Sequence, residues 1–172
     1  MEGATKRVLA VDVSSTKIIN FKINWAREFD RMKWLYEKNS YLEKIDLNKA
    51  LLVAVQEGSP PWVKKILTFG ADVNARDEYD KTVLMLASIR GDMEKTDILV
   101  RSGADINAKT YDGWTALMFA CSNGHTDVAA FLIEKGADVN IKDNDGTTPL
   151  KLALKWGHKD LIKLLKNAGA KM

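Results

Sequence analysis

The stretch EKGADVNIKDNDGTTPL, Glu134 to Leu150, decides how the rest of the chain is read. It is crowded with Gly, Asp and Asn and is too polar to be core. Yet Gly-Ala-Asp, then Val or Ile, then Asn also stands at Gly70–Asn74 and Gly103–Asn107, and Gly169 falls in line with the leading glycines. Each step is 33 residues. A second series with the same step runs through Gly58, Gly91, Gly124 and Gly157, and a third through Ala54, Ala87, Ala120 and Ala153. Several independent positions sharing one period mark a stack of identical supersecondary units.

The copy TYDGWTALMFACSNGHTDVAAFLIEKGADVN, Thr110 to Asn140, shows the unit. Thr115 is placed to cap a first helix, with Leu117, Phe119 and Ala120 on its buried side, and Gly124 ends it. A second helix is expected from about Thr126, with Val128, Ala129, Leu132 and Ile133 on one face, and Gly136 stops it because the left-handed backbone costs glycine little. Asp and Asn side chains then satisfy backbone groups in the polar connection. The loop recurs because every helix pair must be turned onto the next by the same angle. At the ends, Asp46 is the expected cap of the first helix. Lys166 stands where Leu67, Val100 and Ile133 stood before it, so that face meets water. In the second copy, Lys95 and Thr96 replace the equivalents of Val128 and Ala129, which predicts a weaker helix whose lysine buries its stem and keeps its head wet.

These residues resemble the ankyrin repeat. DGTTPLKLA, Asp145 to Ala153, is similar to that family's TPLHxA signature, and GADVN to its hairpin segment. The resemblance covers about residues 46–172 and implies a mainly α solenoid of about four antiparallel helix pairs. Its hairpin loops would project sideways to leave a concave groove. The implied copies are about 46–76, 77–109, 110–142 and 143–172, preceded by an extension over 1–45. Met85, Met118 and Lys151 replace the signature histidine, so its internal hydrogen bond is expected to be missing throughout.

In the extension, RVLAVDVSSTKIINFKI alternates like two strands about a turn, and WAREFDRMKWLYEK puts Trp25, Phe29, Met32 and Tyr36 at helical spacing. Such a helix would cover the open face of the first repeat, or serve as a separate partner-binding element. LAVDVSSTK is faintly similar to the first phosphate loop of the sugar-kinase, chaperone and actin superfamily, with Ser14 where glycine is expected. The remainder of that large fold does not fit the chain.

The apolar share of 46% is that of a folding chain, and the net charge of +3, from 26 basic and 23 acidic residues, is too balanced to imply nucleic acid. A lone cysteine, Cys121, forms no internal disulfide, and one thiol with two histidines cannot close a structural zinc site. No apolar run approaches a membrane span. A soluble, cytoplasmic monomer without metal or cofactor is expected. Cys121 and His125 lie four apart, but the cysteine is at a packed position and the histidine at the family's Gly-His junction, so catalysis has no foothold.

With core, cap and turn positions subtracted, the remaining hairpin and first-helix residues are the candidate partner site. They are Arg76, Glu78, Tyr79, Lys81, Ile89 and Arg90, then Lys109, Tyr111, Asp112, Trp114, Ser122 and Asn123. The last copy adds Lys142, Asn144, Asp145, Thr147, Lys155 and Trp156. Tyr79, Tyr111, Trp114 and Trp156 read as aromatics with no core duty. Arg76, Lys109 and Lys142 read as a basic row suited to an acidic partner. The expected function is a non-catalytic adaptor or inhibitor that binds a protein. The alternatives are a dedicated enzyme inhibitor or immunity-type protein using residues 1–45, and a nucleotide-binding accessory protein.

Overall fold

Among residues 46–171, which the computed structural model describes, eight helices follow the 33-residue step in four pairs. They are α1 (Leu47–Glu57) with α2 (Pro60–Thr68), α3 (Val83–Arg90) with α4 (Met93–Arg101), α5 (Ala116–Asn123) with α6 (Thr126–Glu134), and α7 (Pro149–Trp156) with α8 (Lys159–Asn167). The strand, turn and amphipathic-helix readings of residues 1–45 lie outside the described residues.

Local chemistry sets where each first helix begins and ends. The hydroxyls of Thr82, Thr115 and Thr148 accept from the N–H groups of Met85, Met118 and Lys151, each at 3.3 Å. Asp46 does the same for α1, accepting from Lys49 at 3.0 Å. The far ends of α3, α5 and α7 close on Gly91, Gly124 and Gly157 at φ of 66, 80 and 71°, a region that other residues enter at a cost. The missing signature histidine does not remove its hydrogen bond everywhere. The Sδ of Met85 accepts from the Thr82 N–H at 3.3 Å, a weak sulfur substitute.

Leu117, Leu132, Leu150, Leu161 and Leu165 are buried in one continuous core with Leu51, Leu84, Met85 and Met118. Phe119 departs from expectation, being half-buried on the flank of α5. Beyond the first pair, the first helices pack against one another more closely than the second helices do. Ala87, Ala120 and Ala153, all fully buried, permit that approach. α3, α5 and α7 form this tighter, inner layer, on the side where the resemblance expects the groove.

The recurring loop now has a physical cause. The amide oxygens of Asn48, Asn74, Asn107 and Asn140 accept from the backbone N–H groups of Asp72, Asp105, Asp138 and Lys171 at 2.8–2.9 Å. Within each turn, Asp72, Asp105 and Asp138 accept from the N–H two residues on. Aspartate folds the loop and asparagine sews it to the next copy. At the other end of the helices, Nε2 of His125 lies 3.0 Å from the Ile89 carbonyl, and Nε2 of His158 lies 3.4 Å from that of Ser122. A carbonyl only accepts, so Nε2 carries the proton. Each ring rests on the preceding glycine: a Cβ on Gly91 would collide with His125 Nδ1, and one on Gly124 would lie 2.8 Å from His158 Cε1.

At the first junction Asp92 stands where these histidines stand, and a carboxylate cannot donate. The donor comes from Lys95 instead. Its Nζ gives a hydrogen bond to the Val55 carbonyl at 3.0 Å and pairs with Asp92 Oδ2 at 2.9 Å. The lysine is 5% exposed, so the wet-head expectation is corrected: its head is buried on the Val55 carbonyl. Thr96, fully buried, returns its hydroxyl to the Asp92 carbonyl at 2.8 Å.

Candidate functional site

The hairpins before α3, α5 and α7 close with one repeated backbone bond. It runs from Asp77 to Lys81 at 2.9 Å, from Thr110 to Trp114 at 2.9 Å and from Asp143 to Thr147 at 3.0 Å. Asp77 accepts from the N–H groups of Tyr79 and Lys81, and Asp143 from those of Asp145 and Thr147. Asn144 ties neighbouring tips together, donating its N–H to the Asp112 carbonyl at 3.0 Å and its side-chain amide to that of Tyr111 at 2.9 Å. Gly113 is required there, because a Cβ would lie 2.9 Å from Asp143 Cα. The tips are held fixed, and they carry Tyr79 and Tyr111 at 66% and 82% exposure. Lys81 places its Nζ 4.7 Å from the centre of the Tyr79 ring.

The basic row is built differently from its sequence reading. One Nη of Arg76 donates to the carbonyls of Asp80 and Lys109, both at 2.9 Å, and pairs with the Asp80 carboxylate at 3.0 Å. Asp80 needs that support, having φ 62° where the later hairpins use Gly113 and Gly146. Lys109 in turn donates to the Lys142 carbonyl at 3.4 Å. Arg76 and Lys109 therefore join hairpin to hairpin, and Lys142 is exposed, with no such contact among the described residues.

Along the inner helices the 33-residue step arranges side chains in rows: Lys81, Trp114, Thr147; Leu86, Phe119, Leu152; Ile89, Ser122, Lys155; Arg90, Asn123, Trp156. Trp114 differs from the expectation of an aromatic without core duty. It is half-buried against the core, its ring 5.0 Å from that of Phe119 at 45°. Ile89 also packs partly against the core. Asn123 turns its amide back to the Phe119 carbonyl at 2.8 Å. Arg90, Asp112, Asp145 and Lys155 are exposed, and Lys155 holds its Nζ 5.5 Å from the centre of the Trp156 ring, itself 56% exposed.

Two apolar residues were misplaced by sequence reasoning. Phe119 was assigned to the core, and its pairing with Trp114, which stands before the helix and five residues away, leaves no periodic signal in the sequence. Leu154 is 40% exposed at the position that Val55, Ser88 and Cys121 fill without exposure.

Cys121 is buried, and burial pushes its thiol up to about 12, which removes the thiolate needed for nucleophilic chemistry at neutral pH. His125, four residues on, is turned to the Ile89 carbonyl. Among the described residues no grouping of His, Cys, Asp and Glu could hold a metal ion, and no helix is long and apolar enough to cross a membrane.

Helix pairs repeated in register, joined by sewn hairpins and fixed Gly-His junctions, define a helical solenoid. A family model described as ankyrin repeats (3 copies) matches residues 25–110, 51–143 and 84–172, and the chain belongs to that family. The match begins at Trp25, upstream of the start at Asp46 read from the repeat. No curated protein matches the chain. Ankyrin repeats are protein–protein interaction modules.

Proposed function

We propose that this chain is a non-catalytic adaptor or inhibitor that holds one partner protein between its inner helices and its hairpin tips. The observation that carries the reading is the presentation of aromatic rings on immobile backbone. Tyr79 and Tyr111 stand on hairpins closed by backbone bonds, and Trp156 on the last turn of α7. A ring held out to water by a fixed scaffold loses little conformational entropy on binding, which is why such residues dominate interface energetics. Trp114 and Phe119 add a partly buried apolar floor between them. The eighteen positions named from sequence remain the proposed contact set, with Arg76, Lys109 and Ile89 contributing mainly to the frame. The chain acts as a monomer in the cytoplasm in this reading.

The test is affinity capture of the partner from the native cell by the full chain and by a Tyr111→Ser/Trp156→Ser variant. A partner retained by the first and lost by the second is expected. A partner held equally by both places the site elsewhere.

A further inference from the structure

The inner wall of the second to fourth copies has an uneven charge distribution. Its rows contain Lys81, Arg90 and Lys155 and no carboxylate, while the middle copy contributes Trp114, Phe119, Ser122 and Asn123, none of them charged. Lys81 is drawn onto the Tyr79 ring. Arg90 lies in the last turn of α3 and Lys155 in the last turn of α7, one on each side of α5, and neither forms an ion pair among the described residues. Arg90 feels the Asp92 carboxylate at a distance without contacting it. On the 33-residue step Arg90 is level with Asn123 and Lys155 with Ser122, one helical turn beyond Phe119. Two unmatched cations thus border one end of the Trp114–Phe119 patch, the complement of an apolar anchor with acids close beside it.

We infer that the partner enters as an acidic segment of a protein chain that crosses α5 beside Ser122 and Asn123, its carboxylates meeting Arg90 and Lys155 and one large apolar side chain between them reaching the Phe119 end of the Trp114–Phe119 pair. This rests on the groove reading above and adds the partner's chemistry to it. Packed helix axes lie about 8–10 Å apart, so α3 and α7 are separated by about 16–20 Å. An extended segment covers that span in about five or six residues, which sets the spacing between its acidic positions. A nucleic acid would also meet cations and rings, but it carries a charge at every step. Wherever it ran past Arg90 and Lys155 toward the hairpin tips, Glu78, Asp112 and Asp145 would repel it, whereas a short acidic segment ends at the two cations. The overall charge of +3 gives little to offset that repulsion.

The experiment is selection of a random twelve-residue peptide library on the full chain, followed by fluorescence anisotropy of the enriched peptides. They are titrated with wild type, with Arg90→Glu/Lys155→Glu, with Trp156→Ala, and with Lys64→Glu on the exposed side of α2 as control. Expected are peptides with an aromatic or aliphatic residue between acids, weakened about tenfold or more by the double charge reversal and unchanged by the control. Enrichment of basic or uncharged peptides that still respond to Trp156→Ala overturns the acidic partner and leaves the groove reading standing. Peptides indifferent to every inner-wall substitution, or a selection that enriches nothing, overturn both. Displacement of the bound peptide by single-stranded oligothymidine would assign the wall to nucleic acid instead.

Discussion

Replacing Lys95 by Met keeps the aliphatic stem in place and removes only the ammonium, so it isolates what the buried head contributes. Two effects oppose each other. Burying an ammonium is costly, and an apolar residue of similar volume often matches or exceeds the stability of a buried ion pair. Against that, the Val55 carbonyl would lose its Lys95 donor at the seam between the first two helix pairs. A buried acceptor left without its partner costs about 1–3 kcal/mol. Asp92 shifts the balance less than a sealed carboxylate would, because its side chain is 28% exposed and water can replace the ammonium. We therefore expect Lys95→Met to destabilise by about 1–3 kcal/mol, and Lys95→Ala by about 2 kcal/mol more from the cavity left by the stem. Urea melts of the three proteins decide it. A Met variant as stable as wild type would mean that the Lys95–Val55 bond carries no net stability. Asp92 adds a signature in pH. Partial burial alone would raise its carboxyl, but hydrogen bonds from the Lys95 N–H and ammonium, with the charges of Lys95 and Arg90, outweigh it and hold the group below the usual value. A carboxyl depressed by folding stabilises the fold above its unfolded pKa and loses that contribution as pH falls through the folded value. The gap between wild type and Lys95→Met should stay level through neutrality and narrow below about pH 4.

Gly91→Ala and Gly157→Ala both force alanine into the left-handed region, at about 1–2 kcal/mol, but only the first also meets a histidine ring. Gly91→Ala should be the worse of the two, and thermal melts in a His125→Ala background should erase the difference. Trp156→Ala should cost under about 0.5 kcal/mol of stability, half-buried Trp114→Ala about 1–3 kcal/mol, and buried Leu117→Ala about 2–5 kcal/mol. Chemical denaturation that ranks them otherwise would contradict the assignment of wall and core. Cys121, with its thiol pushed up to about 12, should resist a thiol-reactive disulfide reagent at pH 8 until denaturant is added. Native labelling as fast as denatured labelling would refute its inert role.

The helices were legible because the signals that start and stop them are local. Thr115 and Asp46 cap helices from within three residues, and Gly124 sits next to the turn it closes, so a 33-residue step exposes both. The candidate site was less legible, because what decides it is contact between copies. Arg76 and Lys109 have the composition of a binding row, yet their heads go to backbone carbonyls 33 residues away, and carbonyls leave no mark in a sequence. Tyr111 and Trp114 lie three residues apart in one hairpin, both large and aromatic, and only the path of the backbone puts one in water and the other on Phe119. Lys95 was misjudged for the same reason. A lysine in a helix normally turns outward, and the carbonyl that draws it inward belongs to the preceding copy.

The glycine beneath each histidine ring has a consequence for how such a chain could be lengthened or shuffled. The two partners of a seam are written in different copies: Gly91 belongs to the second and His125 to the third, Gly124 to the third and His158 to the fourth. A unit cut out at its hairpins thus takes with it half of two seams. Moved elsewhere, the third copy would bring a histidine that needs a bare backbone ahead of it. The second copy brings Asp92 and Lys95, which need only a carbonyl. The copies share a period without being exchangeable cassettes, and a rearranged chain would be limited at its seams before its helices failed to form.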